Sequence, residues 1–558
     1  MTNDTASPGM RLHALFDATW ARDMAADPLL ATYYGETAYN ALWPDLSAAA
    51  RERRHAADRA ALAELQGIAP EDLSAADQLN RRLFERELQG RIALHRFRPE
   101  AYAITAREGP QSLNELVELM PMDSRADIET WLQRLRGLPA YLAQYTDLLR
   151  ECAAQGHTQP RMLMERVLPQ LDMQIVDDPA QSPFYSAFAG LADQDLQQQA
   201  HALIAAALVP AYRAFREFFA NDYLPACRDS LGISDTPDGL AFYANRIAHH
   251  TSTDFSADDI HQLGLAEVAR ITAAMQELLD ELGFEGSKHE FFDWLRSDPR
   301  FYYADAEQLF AAYVMTSKQI EPELPKLFGK LPRTPYGVRP IPATSAPNTT
   351  AAYYSGPSAD GRRAGYYYVN LYRPEMRPRY EIEVLTTHEA VPGHHLQIAL
   401  AQEQGELPKF RRFAGYNGYI EGWALYAEQL GYELGLYQDP YSRFGQLSYD
   451  IWRALRLVLD TGLHTQGWSR EQAISYFRDH APKTQVDIAN EVDRYIGWPG
   501  QALSYKIGQL QMLALRARAE AALGEAFDLR AYHDMILDGG ALPLDMLADK
   551  VQAWIAQH

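Results

Sequence analysis

Residues 388–395 read His388-Glu389-Ala390-Val391-Pro392-Gly393-His394-His395, and the fold must be arranged around this stretch. Three imidazoles and one carboxylate within eight positions form the ligand set of a zinc site with a general base beside it. With 16 histidines in 558 residues, eight positions should hold only about 0.2 by chance. A zinc-hydrolase helix usually carries two histidines four residues apart, with Glu directly after the first. Here the second histidine comes six or seven residues later. On an unbroken helix, i+6 rises roughly 9 Å and points about 240° round, and i+7 rises roughly 10.5 Å. Neither can share an ion with His388 through bonds of about 2 Å, so the helix must break.

The intervening residues supply the break. Pro392 donates no hydrogen bond and clashes with the carbonyl four residues back, which belongs to His388. Gly393 tolerates backbone conformations closed to other residues. A bulge of two residues brings His394 to the position normally taken by i+4, whereas His395 requires a bulge of three. The expected ligands are therefore His388 and His394, with His395 behind them as the alternate. Glu389 points to another side of the helix and suits the base that acts on the attacking water. A hydrolytic zinc site commonly takes a third ligand from Glu and leaves one position open. Gln404-Gly405-Glu406-Leu407-Pro408 reads as a turn leading to a second helix with Glu421 and Glu428 on one face, two turns apart. Glu421 is the expected third ligand, because Gly422 lets another backbone approach closely. Glu428 is either a brace for a ligand histidine or the alternate ligand.

The pattern His388-Glu389-x-x-Pro392-Gly393-His394, then Glu421-Gly422-Trp423-Ala424, then Pro499-Gly500-Gln501-Ala502 and Tyr505, resembles family 885 of the bacterial domains of unknown function. Those proteins look like distant relatives of the gluzincin metallopeptidases, and the resemblance covers nearly the whole chain. In that family the position of His394 is histidine, while that of His395 can be tyrosine. The segment Glu421-Gly422-Trp423-Ala424 is similar to the one that bears the third ligand in zinc aminopeptidases. Helical peptidases use a Tyr and a His from the C-terminal third, which implies Tyr505 as oxyanion donor and His464 as second choice. From the residues themselves, Arg456 or Arg494 is expected to clamp a substrate carboxylate.

Composition narrows the function classes. A hydrophobic content of 47% is ample for a large core. A net charge of −22 argues against nucleic acid or an anionic membrane as the main partner and does not strongly favour any particular peptide. The two cysteines, Cys152 and Cys227, lie in no CxxC pair and read as free buried thiols. Met1 to Thr19 lacks a basic region followed by an apolar run, and no apolar span is long enough for a membrane, so a cytoplasmic protein is expected. Oligomeric state is not legible.

Apolar residues at three- and four-residue spacing predict helices at Ala48 to Leu65, Ala76 to Leu94, Ile128 to Cys152, Ala192 to Phe219, Ser256 to Gly283 and Ala304 to Leu327. Gly232, Pro237 and Gly239 mark a boundary between an N-terminal helical lobe or cap, 1–235, and a catalytic lobe, 236–558, within one continuous domain. Short segments rich in β-formers, Val338 to Ile341, Ala351 to Ser355 and Gly365 to Leu371, predict a small β-hairpin just before the metal helix, with a turn at Ser358-Ala359-Asp360-Gly361. Its edge beside the metal would bind an extended peptide, with Tyr367 among the contacting side chains. The expected fold is mainly α, a large two-lobed helical metallopeptidase-like fold with this hairpin lining the active-site cleft. The expected activity is zinc-dependent hydrolysis of short peptides, with one zinc ion bringing its water toward a pKa of roughly 7 and Glu389 as base. Two alternatives stay open: a zinc hydrolase of a non-peptide amide or ester, and a non-catalytic helical binding protein with a degenerate metal site.

Overall fold

A computed structural model describes residues 7–343, 346–358 and 361–558. Within it the serines that open the N-terminal helices explain where those helices start. Ser7, Ser47, Ser74 and Ser124 each accept a backbone N–H from the first turn of Pro8–Ala26, Ala48–Gln66, Ala75–His95 and Arg125–Ala154. The first three of these helices bury Leu12, Phe16, Leu65, Phe84 and Leu88 in one cluster, and the fourth buries Arg134 against Trp43. Arg134 is fully buried there, and it is satisfied by the carbonyls of Pro28 and Leu42 and by the Thr32 hydroxyl at 2.9–3.0 Å. The expected helix Ala192 to Phe219 is a longer run, interrupted by wider π turns at Ile204–Leu208 and Phe219–Tyr223. Each π turn stands just before or over a proline, Pro210 and Pro225, whose missing N–H and ring bulk a regular α turn cannot absorb.

The chain forms two compact units. One comprises Met1–Ser230, Thr236–Asp238 and Pro408–Phe410; the other comprises Leu231–Asp235, Gly239–Leu407 and Arg411–His558. The centre of the second unit is the helix Pro440–Thr465, buried along nearly all of its length from Phe444 to His464. Gly264 of the helix Ala257–Glu281 packs so closely on it that a Cβ would lie 2.7 Å from that of Leu457. The helices Asn417–Leu430 and Ser504–Leu523 cross at glycines. A Cβ on Gly422 would lie 2.6 Å from the backbone of Gly508, and one on Gly508 would lie 2.0 Å from the carbonyl oxygen of Gly418. Glu421 is thereby held on a helix clamped by a backbone-to-backbone contact.

The molecule is mainly helical, with one small sheet among the described residues. The sheet departs from the expected hairpin by one strand. β2 (Ala352–Ser355) and β3 (Gly365–Val369) are antiparallel, but β1 (Tyr336–Pro340) adds parallel to the other side of β3, giving the order β1-β3-β2. The hairpin pattern of β2 and β3 is local, whereas the β1 pairing joins segments some thirty residues apart and has no turn signature. Ala359 and Asp360 of the expected turn lie outside the described residues, as do residues 1–6 of the N-terminal stretch. Among the described residues no helix is long and apolar enough to cross a membrane. Cys152 and Cys227 are free and buried.

Candidate metal centre

The helix Ile382–Glu389 ends at Ala390, the Val391–Pro392 peptide is cis, and a new helix begins at His394. The expected bulge is therefore a full stop and restart. A Cβ on Gly393 would lie 1.9 Å from the carbonyl oxygen of His388 and 2.3 Å from that of Thr387, so only glycine fits the crossing. Two hydrogen bonds hold the turn, from His395 N–H to the Ala390 carbonyl at 3.0 Å and from the Trp423 indole N–H to the Pro392 carbonyl at 2.9 Å.

This restart brings the rings of His388 and His394 to 4.8 Å between centres, nearly perpendicular to each other. One ligand atom from each of His388, Glu389 and His394 lies within 4.8 Å of the others, and all three residues are buried. Glu421 joins them from the second helix. Its Oε2 is 3.7 Å from His388 Nε2 and 3.4 Å from His394 Nε2. Tetrahedral zinc with bonds of about 2.0–2.2 Å separates its ligand atoms by roughly 3.4 Å. Glu421 Oε2 is close to this spacing from both imidazoles. The donor set therefore fits His388, His394 and Glu421 as ligands, with Glu389 beside them. Glu421 Oε2 and His394 Nδ1 are buried and have no hydrogen-bond partner among the described residues, and a cation would satisfy the first of these. The Glu421 side chain keeps 17% of its surface exposed, so the cluster has an open side.

Neighbouring charges tune both carboxylates. Burial pushes the Glu389 carboxyl up to about 7; the Glu421 charge adds to this, against His394 and Arg453. Burial also raises Glu421, but His394, Arg456 and the Tyr505 hydroxyl more than offset it and hold the carboxyl below its usual range. Glu428 does not reach the cation position. Its Oε1 lies 2.8 Å from His388 Nδ1 and 3.2 Å from Arg453 Nη2. With the shared proton on Nδ1, the Nε2 lone pair of His388 faces Glu421, the carboxylate–histidine arrangement that orients metal ligands.

Other expected site residues are placed elsewhere. His395 is turned away, with both ring nitrogens engaged: the Tyr354 hydroxyl of β2 donates to Nδ1 at 2.8 Å, and Nε2–H donates to the Thr334 carbonyl at 3.1 Å. It is not an alternate ligand here, because the new helix starts at His394 and points the next side chain toward the sheet. His464 is wholly buried, where Nδ1 accepts Ile233 N–H at 3.1 Å and Nε2–H donates to the Tyr495 carbonyl at 2.9 Å; it pins backbone and is no oxyanion donor. Tyr367 is likewise fully buried, against Tyr313, because strand alternation sends 365, 367 and 369 inward; it makes no substrate surface. Every guanidinium nitrogen of Arg494 is engaged, by Glu491 at 3.0–3.3 Å and by Gln501 at 2.7 Å. Arg456 also leans on Glu491, at 3.3 Å, and its guanidinium carbon sits 4.2 Å from the centre of the Tyr505 ring.

Sequence reasoning passed over Glu491 and Tyr354. Glu491 stands three and four residues before Arg494 and Tyr495 on one helix, and its carboxylate is bonded to both. That spacing was a usable signal. Tyr354 had none, since its role depends on how β2 meets the His394 helix.

The family described as "Bacterial protein of unknown function (DUF885)" matches residues 28–551. A crystal structure of a candidate lipoprotein from Colwellia psychrerythraea is similar over 99% of this chain and 100% of its own, at 30% identity and a TM-score of 0.93. The structure of a candidate lipoprotein of unknown function from Shewanella oneidensis is similar over 98% and 99%, at 20% identity and a TM-score of 0.72, and shares the fold. No curated protein matches the chain.

Proposed function

The chain belongs to the DUF885 family, a bacterial family of unknown function, and from its site we propose that it is a zinc-dependent hydrolase of peptide bonds acting on short peptides. One observation carries this reading: His388, His394 and Glu421 converge at zinc-ligand spacing, with a buried Glu389 beside them. A cluster that only held a metal would have no use for that extra carboxylate.

Zinc bound by these residues supplies a Lewis acid that acidifies water and polarises a carbonyl. The remaining work falls to the chain's own groups. Glu389, pushed up to about 7, is matched to take a proton from the attacking water near neutral pH and to return it to the leaving amine. Glu428 fixes the ring of His388 through Nδ1, and Arg453 holds Glu428 in turn. Tyr505, whose hydroxyl acts on Glu421, is the candidate donor to the developing oxyanion. β2 is an edge strand, and the backbone of its Tyr354 acts on Glu389, so a peptide extended along β2 would pass the base.

The Colwellia and Shewanella relatives, both described as candidate lipoproteins, favour an exported protein over the cytoplasmic expectation. The test of function is metal content and peptide hydrolysis of the wild type against Glu389→Gln. The variant should keep its zinc and lose hydrolysis by a factor of roughly 10²–10⁴. A wild type that takes up no zinc, or a variant of full activity, refutes the proposal.

A further inference from the structure

The wall beside the candidate metal centre carries three guanidinium groups, those of Arg453, Arg456 and Arg494. Arg453 has its own partner in Glu428 at 3.2 Å. Arg456 and Arg494 share one carboxylate oxygen, Glu491 Oε2, at 3.3 and 3.0 Å. Asp460 also feels the charge of Arg494, and its Oδ1 is turned to the Tyr243 hydroxyl at 2.6 Å and to Gly500 N–H at 3.0 Å. Arg456 and Arg494 thus share the Glu491 carboxylate, and Arg456 also faces the Glu421 carboxylate.

The two arginines differ in what they have left to give. All three nitrogens of Arg494 are occupied by Glu491 and Gln501. Arg456 uses Nε on the Tyr495 hydroxyl at 3.2 Å and Nη2 on Glu491, while its Nη1 is buried and has no hydrogen-bond partner among the described residues. Arg456 also lies toward the centre. Its charge acts on Glu421 and His388, and its guanidinium covers the ring of Tyr505, which is only partly buried.

We propose that Arg456 recognises a carboxylate of the substrate close to the scissile bond, so that the preferred substrates are peptides cleaved near a free C terminus. This rests on the peptidase reading above and narrows its substrate class. The Arg456 guanidinium suits the task because its Nη1, unpartnered among the described residues, can donate a charge-assisted hydrogen bond to a carboxylate.

The experiment compares matched short peptides, as free acids, as C-terminal amides and as N-acetylated free acids, on the zinc-loaded full chain. Amidation should lower kcat/KM by at least ~10-fold, the factor expected from losing one hydrogen bond to a charged group, while N-acetylation leaves it unchanged. Arg456→Lys keeps the charge but loses the Nη1 donor, and should shrink the acid-to-amide ratio; Glu491 stays paired through Arg494. Equal cleavage of acid and amide overturns the inference and leaves the peptidase reading standing. An acid-to-amide ratio unchanged in Arg456→Lys overturns the role of this residue, and cleavage of no peptide in the set overturns the peptidase reading and the inference with it.

Discussion

Replacing Gly393 by alanine should abolish the metal site, although it adds a single methyl group. The new Cβ would stand 1.9 Å from the carbonyl oxygen of His388, 2.3 Å from that of Thr387 and 2.6 Å from the carbonyl carbon of His388. All three are backbone atoms, so no side-chain rotation relieves the clash. Real Cβ contacts essentially never fall under 3.0 Å, which demands roughly 1 Å of separation between the two helices. Zinc sites tolerate about 0.2 Å in ligand distance, and the Glu421-to-imidazole spacings are already 3.4 and 3.7 Å. Movement of the required size pulls His394 out of reach. Zinc affinity should fall by at least ~100-fold, beyond what loss of a supporting contact costs. The assay is zinc competition against a chromophoric chelator, with circular dichroism to show that the helices remain. A folded Gly393→Ala protein with wild-type zinc affinity would refute the claim that the restart at this glycine builds the site.

Two further outcomes are expected. Glu428→Gln preserves the shape of the brace on His388 but replaces its carboxyl by an amide, and zinc affinity measured in the same competition should drop ~10–100-fold, with little change in the far-ultraviolet spectrum; an unchanged affinity would show that Glu428 does not support the ligand. His533 is fully buried between the Tyr426 hydroxyl and the Leu327 carbonyl, and burial pushes its imidazole from 6.5 down to about 4. Below pH 6.5 the unfolded chain takes up a proton that the folded chain refuses, so stability is lost as pH falls from 6.5 toward 4, by about 2 kcal/mol at pH 5. Urea midpoints of wild type and His533→Gln at pH 7 and 5 test this, and an identical pH slope in the two proteins counts against it.

Most helices were legible because their ends are chemically marked. Ser47, Ser74, Ser124 and Ser256 each cap a helix whose apolar spacing is visible on inspection. The convergence of His388 and His394 was legible because helix geometry leaves a Pro-Gly interruption only a few ways to bring two imidazoles together. Glu421 was legible from Gly422, whose need for close approach is met by Gly508. What escaped was everything set by distant segments. His464 sits on a helix face like that of Arg456, and only Ile233 and the Tyr495 carbonyl decide that it serves the core. Tyr366, Tyr367 and Tyr368 are chemically identical, and the pairing of β3 with β1 and β2 selects the middle one for burial. Arg494 reads as a free cation until Glu491 and Gln501 are seen to occupy it.

The most direct measurement is diffraction at the zinc absorption edge from crystals of the purified protein supplied with zinc. One strong anomalous peak is expected at about 2.0–2.2 Å from His388 Nε2, His394 Nε2 and a carboxylate oxygen of Glu421, with Glu389 beside the open position. Zinc-soaked crystals with no peak there, or a peak held by His395 in place of His394, would contradict the central claim.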